Sequence, residues 1–70
     1  MAVSYKRLWK LLIDKDMKKV ELEASAGISH YTINKLNHNK NVNVDVLAKI
    51  CKSLNCTMDE IMEILPDDAE

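Results

Sequence analysis

KKVELEASAGISHYTINKL, residues 18–36, is the stretch on which the fold turns. Leu22 and Ala26 stand one helical turn apart on a shared face, and Gly27 follows as a left-handed stop, a conformation in which a Cβ would clash. Ser29 then offers an N-cap hydroxyl to a second helix over 30–37, whose Ile33 and Leu36 face inward. Leu22, Ala26, Ile28, Ile33 and Leu36 are the inward positions that two short, steeply crossing helices need. The spacing therefore predicts a helix-turn-helix over about 18–37, with the N-terminal turn of its second helix projecting outward.

Helical periodicity extends on both sides. Upstream, Tyr5, Leu8, Trp9, Leu12 and Ile13 fall on one face of a first helix that Ser4 could cap, which makes Trp9 a core residue. Downstream, Asn43 is placed to cap a helix whose stripe is Val44, Leu47, Ile50, Cys51 and Leu54, with Asn55 as its stop. Thr57 and Glu60 form a capping box for a short fifth helix carrying Ile61, Ile64 and Leu65, closed by Pro66. The expectation is all-α: one domain over 1–70, a compact five-helix bundle with a central helix-turn-helix and a frayed acidic tail over 66–70.

Composition supports this and excludes much else. One glycine and one proline in 70 residues are too few for the turns of a sandwich or barrel. No apolar run is long enough for a membrane span, and MAVSYKRLWK lacks the pattern of a signal peptide. Cys51 and Cys56 lack metal-ligand spacing and read as small hydrophobes in a cytosolic chain. No metal or other cofactor is expected. No Ser–His–acid arrangement, phosphate loop or cleft carboxylate pair suggests an enzyme.

The formal charge of −1 points away from nucleic acid when taken alone, but it conceals a gradient. Residues 1–40 carry Lys6, Arg7, Lys10, Lys15, Lys18, Lys19, Lys35 and Lys40 against Asp14, Asp16, Glu21 and Glu23, a balance of +4. Residues 41–70 carry Lys49 and Lys52 against Asp45, Asp59, Glu60, Glu63, Asp67, Asp68 and Glu70, a balance of −5. Between Glu23 and Asp45 there is no acid, while His30, Lys35, His38 and Lys40 all fall there, so a surface built from that stretch is positive.

The AGIS corner (Ala26 to Ser29), the T-I-x-K-L pattern from Thr32 to Leu36 and the L-x-K-I-C-x-x-L-N-C block from Leu47 to Cys56 resemble the Cro and phage-repressor type of helix-turn-helix domain. The likeness is greatest to its small stand-alone bacterial versions and runs from about Ser4 to Met62. The resemblance implies a lambda-repressor-like fold and a transcriptional regulator of bacterial or phage origin. It would bind a double-stranded operator in the cytoplasm, at the nucleoid, with the second motif helix in the major groove. Two positions depart from the family pattern. Glu23 replaces the alanine favoured where the motif helices approach, and must tilt toward solvent or open the crossing. Lys18 replaces the usual threonine or serine cap and has no acceptor, a loss of about 1 kcal/mol that Asp16 offsets only if the helix starts earlier.

Carried onto this sequence, the resemblance implies base contacts from His30, Tyr31, Asn34 and Lys35. Lys35 is suited to guanine O6 or N7 and Asn34 to adenine. Tyr31 either meets a thymine methyl or packs. Lys19 matches a position that contacts phosphate and buttresses the base readers; Lys18, Thr32, His38, Asn39, Lys40 and Asn41 are the other phosphate candidates. Lys6, Arg7 and Lys10 form a solvated face. One small module presents few base contacts, so a homodimer on half-sites about 10 base pairs apart is expected. The segment 57–65, with Met58, Ile61, Met62 and Leu65, is its predicted interface. The competing reading is an antitoxin-like helical module that keeps the fold but works through a protein partner.

Overall fold

The apolar stripes of four helices meet on a single set of buried side chains: Leu8, Leu12, Leu22, Ile33, Leu36, Leu47, Ile50 and Leu54, closed by Tyr5 and Ile61. This arrangement is that of a computed structural model of the chain, which describes residues 2–66. In chain order its elements are strand β1 (Ala2–Ser4), helices α1 (Lys6–Asp14), α2 (Lys19–Ala26), α3 (His30–Asn37) and α4 (Val44–Leu54), a 3-10 turn (Met58–Glu60) and strand β2 (Glu63–Leu65). Helix α2 packs on both α3 and α4, and the 3-10 turn closes the space between α1 and α4.

Four α-helices form among the described residues, one fewer than expected. The Thr57–Glu60 signal is real, since the Thr57 amide donates to Glu60 Oε1 at 2.9 Å, but it starts only a single 3-10 turn. Two forces end that turn early. Ile61 drops into the core with no exposed surface, and the residue before a proline is pushed from the helical region toward extended backbone, which affects Leu65 ahead of Pro66. The extended segment then pairs antiparallel with β1, in the register Ala2↔Leu65, Val3↔Ile64 and Ser4↔Glu63. The acidic tail expected over 66–70 lies, beyond Pro66, outside the described residues.

Other departures have local causes. Tyr5 is not the first residue of a helical stripe but the N-cap of α1, and Ser4 belongs to β1, although its Oγ accepts from the Lys6 amide at 3.3 Å. Ile13 and Val44, both placed on inward stripes by periodicity, are 76% and 70% exposed; each sits in a terminal turn of its helix. Trp9 is half-buried at the rim of the core. Asp16 does not cap α2, because it occupies a left-handed corner (φ 55°) that terminates α1. Asn43 is the N-cap of α4 without a side-chain cap bond, and Asn55 ends that helix in the left-handed conformation as expected.

Candidate nucleic-acid interface

The corner between α2 and α3 is built as its sequence dictates. Gly27 sits at φ 70°, and its amide and that of Ile28 both donate to the Glu23 carbonyl, at 2.9 and 3.1 Å. Ser29 then turns the chain into α3, its Oγ accepting from the Thr32 amide at 3.1 Å. Leu22, Ile33 and Leu36 are buried at the crossing, with Ala26 and Ile28 half-buried beside them. With that face fixed inward, helical geometry turns His30, Tyr31 and Asn34 outward. Tyr31 is 71% exposed although it is aromatic.

Tyr31, Asn34, Lys35, His38 and Lys40 line one shallow depression along this outward face. Lys35 folds back over Tyr31, its Nζ 5.6 Å from the ring centroid, so cation and aromatic surface are presented together. Three of the four residues expected at base edges thus share a wall with two of the expected phosphate contacts. His30 stands at the head of the same helix, where Glu23 Oε2 lies 3.0 Å from its Nδ1. Glu23, expected either to tilt toward solvent or to open the crossing, reaches across to α3 and, among the described residues, is the acidic side chain that pairs with that helix.

The remaining phosphate candidates divide. Lys19 Nζ donates to Asn37 Oδ1 at 2.6 Å and rests 4.3 Å above the Trp9 ring, so it ties the start of α2 to the end of α3. Thr32 is half-buried and its hydroxyl lies 3.0 Å from that of Ser29. Asn39 and Asn41, with Lys40, border a second depression, next to β1 and Leu65. The Asn39 Oδ1 accepts from the Tyr5 amide at 3.0 Å, so its carbonyl end is committed to holding the loop. Lys18 borders a different concavity with Leu12, Ile13 and Met17; its amide donates to Glu21 Oε1 at 2.7 Å, the half of a capping box that does not require an acceptor on residue 18.

Sequence reasoning missed Glu23 and Asn37, the partners of His30 and Lys19. The Asn37 contact leaves no local signal, since it spans 18 positions. Arg7 is not part of a free basic face: its guanidinium donates to the Asp59 carbonyl at 2.8 Å and lies 3.8 Å from Glu63, pinning α1 to the C-terminal segment. Of the dimer candidates, Ile61 is wholly buried and Met62 half-buried, while Met58 and Leu65 are 37% and 36% exposed. Cys51 and Cys56 are half-buried, and burial, aided by the neighbouring Cys51, pushes the Cys56 thiol up to about 11. No group of three or more His, Cys, Asp or Glu side chains among the described residues is placed to hold a metal. No helix among them is long and apolar enough to cross a membrane.

Two short helices joined at a left-handed glycine, with the polar N-terminal turn of the second projecting from the core, define a helix-turn-helix DNA-binding domain. The chain belongs to the Cro/C1-type HTH DNA-binding domain family, whose model matches residues 7–67. A search of solved structures finds similarity to the crystal structure of the transcriptional regulator VanUg (Form II): TM-score 0.89 and 53% identity, covering 94% of this chain and 88% of that one. Among curated proteins, none matches the chain.

Proposed function

We propose that the protein is a sequence-specific transcriptional regulator that inserts α3 into the major groove of an operator, acting in the cytoplasm of a bacterial host. One observation carries this reading: Tyr31, Asn34, Lys35, His38 and Lys40 lie on one wall, in the acid-free part of the sequence, at the outward face of a helix-turn-helix. Likeness to a transcriptional regulator at 53% identity supports the regulatory role. His30, Tyr31, Asn34 and Lys35 are the proposed base readers. Lys35 donates to guanine, and Asn34 pairs with adenine. Lys19, His38 and Lys40 are the leading phosphate contacts; Lys18, Thr32, Asn39 and Asn41 complete the set. Lys19 works from a braced position, since a side chain already stacked and hydrogen-bonded loses less freedom on meeting a phosphate.

The protein acts as a homodimer in this reading. Met58 and Met62, now joined by Ile64 at 62% exposure, line one concavity remote in sequence from α3, while Leu65 borders the separate depression with Asn39, Lys40 and Asn41. Ile61 is excluded from that surface because it is spent in the core.

Selection from random duplexes with the purified protein, at fixed salt, tests the reading and should enrich a two-fold symmetric site. On that site Lys35→Ala should cost about 1–3 kcal/mol and relax preference at one base pair. Lys19→Ala should weaken binding to every sequence alike and reduce the salt slope by about one. Equal losses on selected and random DNA for Lys35→Ala would refute its reading role. Failure to enrich any sequence would turn the assignment toward a protein partner.

A further inference from the structure

Glu23 sits where α2 and α3 approach, and its side chain is 21% exposed while that of His30 is 77% exposed. An ion pair with so open a partner adds little to stability, so holding the fold together does not explain the contact. Its chemical effect is on the imidazole. An ionised carboxylate only accepts hydrogen bonds, so the nitrogen facing it at 3.0 Å, Nδ1, must carry the proton. Which ring nitrogen is protonated is set by the bond the other one makes. Nε2, with no recorded protein partner among the described residues, is then the nitrogen left for a ligand.

We propose that Glu23 is a positioning residue that fixes the tautomer of His30, so that Nε2 meets the operator as an acceptor when the ring is neutral and as a donor when it is protonated. The proposal rests on the reading of His30 as a base reader. A neutral ring prefers the amino group of adenine N6 or cytosine N4, whereas a protonated ring prefers guanine O6 or N7. The base chosen at one operator position therefore changes with the protonation of the ring. Among the described residues no other ion pair involves the ring. On α2, Lys19 is held by Asn37 and Trp9, and Glu21 accepts from the Lys18 amide. On α3, Lys35 lies over Tyr31.

The test combines a spectroscopic signature with a mutant cycle. Nitrogen-detected NMR of the free protein at mildly alkaline pH should show His30 in the Nδ1–H tautomer, and Glu23→Ala should release it toward Nε2–H. Anisotropy titrations then use the duplex selected by the wild-type protein and its three single-base-pair variants at the position that His30→Ala relaxes. At about pH 8 the wild type should favour the amino-bearing base by about two- to tenfold, and at about pH 5.5 that preference should fall or reverse toward guanine. Glu23→Ala should erase the pH dependence of base preference, and it should leave base preference unchanged in a His30→Ala background. An Nε2–H tautomer in the wild type, or a Glu23 effect on base preference that persists without His30, would overturn the proposal while leaving the base-reader assignment intact. Unchanged base preference in His30→Ala at every position would overturn that assignment itself.

Discussion

Replacing Tyr5 by phenylalanine isolates the link between the N-terminal segment and the loop that follows the recognition helix. Tyr5 is 1% exposed; its hydroxyl donates to the Lys40 carbonyl and its amide donates to Asn39 Oδ1, both at 3.0 Å. Phenylalanine keeps the ring and the amide bond, so no cavity opens and only the hydroxyl bond is lost. Lys40 is exposed, so water can reach its vacated carbonyl; the expected cost is therefore the net value of one hydrogen bond, about 1 kcal/mol. In a domain of this size that lowers the melting temperature by about 4–8 °C. Tyr5→Ala, which also removes the ring, should cost about 3–5 kcal/mol, a large part of the whole stability.

The pH profile adds a second readout. Burial raises the Tyr5 phenol above its ordinary value of 10.0, because the folded protein disfavours the phenolate. The native state thus holds a proton that the unfolded chain releases first. The associated stability is complete below the unfolded value and is lost as pH rises above it. Thermal melts followed by circular dichroism across alkaline pH should show a steep decline for the parent protein and a shallower one for Tyr5→Phe. A variant with the parent's melting temperature and the parent's alkaline limb would refute the role assigned to this hydroxyl.

Two further substitutions probe the helix-turn-helix itself. Gly27→Ala should cost about 1–2 kcal/mol from backbone strain alone, since φ is +70° and nothing lies within 4 Å of an added Cβ; Gly27→Asn should lose less, and equal losses would point to a steric cause instead. Lys18→Ser should raise stability by about 1 kcal/mol by supplying the missing acceptor opposite the Glu21 arm that already exists. Urea unfolding checks this as a higher midpoint at unchanged slope, and an unmoved midpoint would count against the cap argument.

The motif was legible because its signals are local. A glycine after a four-residue apolar step, a serine three positions before a threonine amide, and inward positions at helical spacing act within one or two turns, and all appear as expected at Gly27, Ser29, Ile33 and Leu36. The fifth helix was illegible for the opposite reason. Ile61, Ile64 and Leu65 repeat at helical spacing, but Leu65 precedes a proline and residues 63–65 find their partner at residues 2–4, more than fifty positions away. Ile13 and Val44 show the same limit on a smaller scale, since periodicity names a face but not how far the neighbouring element extends to cover it. In the candidate site, the outward residues of α3 follow from the inward ones, whereas the partners Glu23 and Asn37 depend on the crossing of α2 and α3 and could not be placed from spacing.

That crossing also resolves how a chain with a formal charge of −1 offers a face to DNA. Several of its carboxylates are engaged by other partners. Glu21 and Glu60 accept backbone amides at helical starts, Asp45 pairs with Lys49 at 3.5 Å on α4, and Glu63 lies 3.8 Å from Arg7 on α1. Such charges act over distances comparable with the screening length of about 8–10 Å, so acids on another face barely oppose a phosphate at α3. Glu23 differs: among the described residues it is the carboxylate paired with that helix. Its negative charge weakens the local attraction for phosphate and is tolerable only because it lands on a histidine. An alanine there would leave the wall more positive and His30 unconstrained, trading orientation at one base for stronger, less selective adhesion to the backbone. The net charge therefore bears on general affinity for nucleic acid, while the proposed effect of Glu23 is on selectivity at one base.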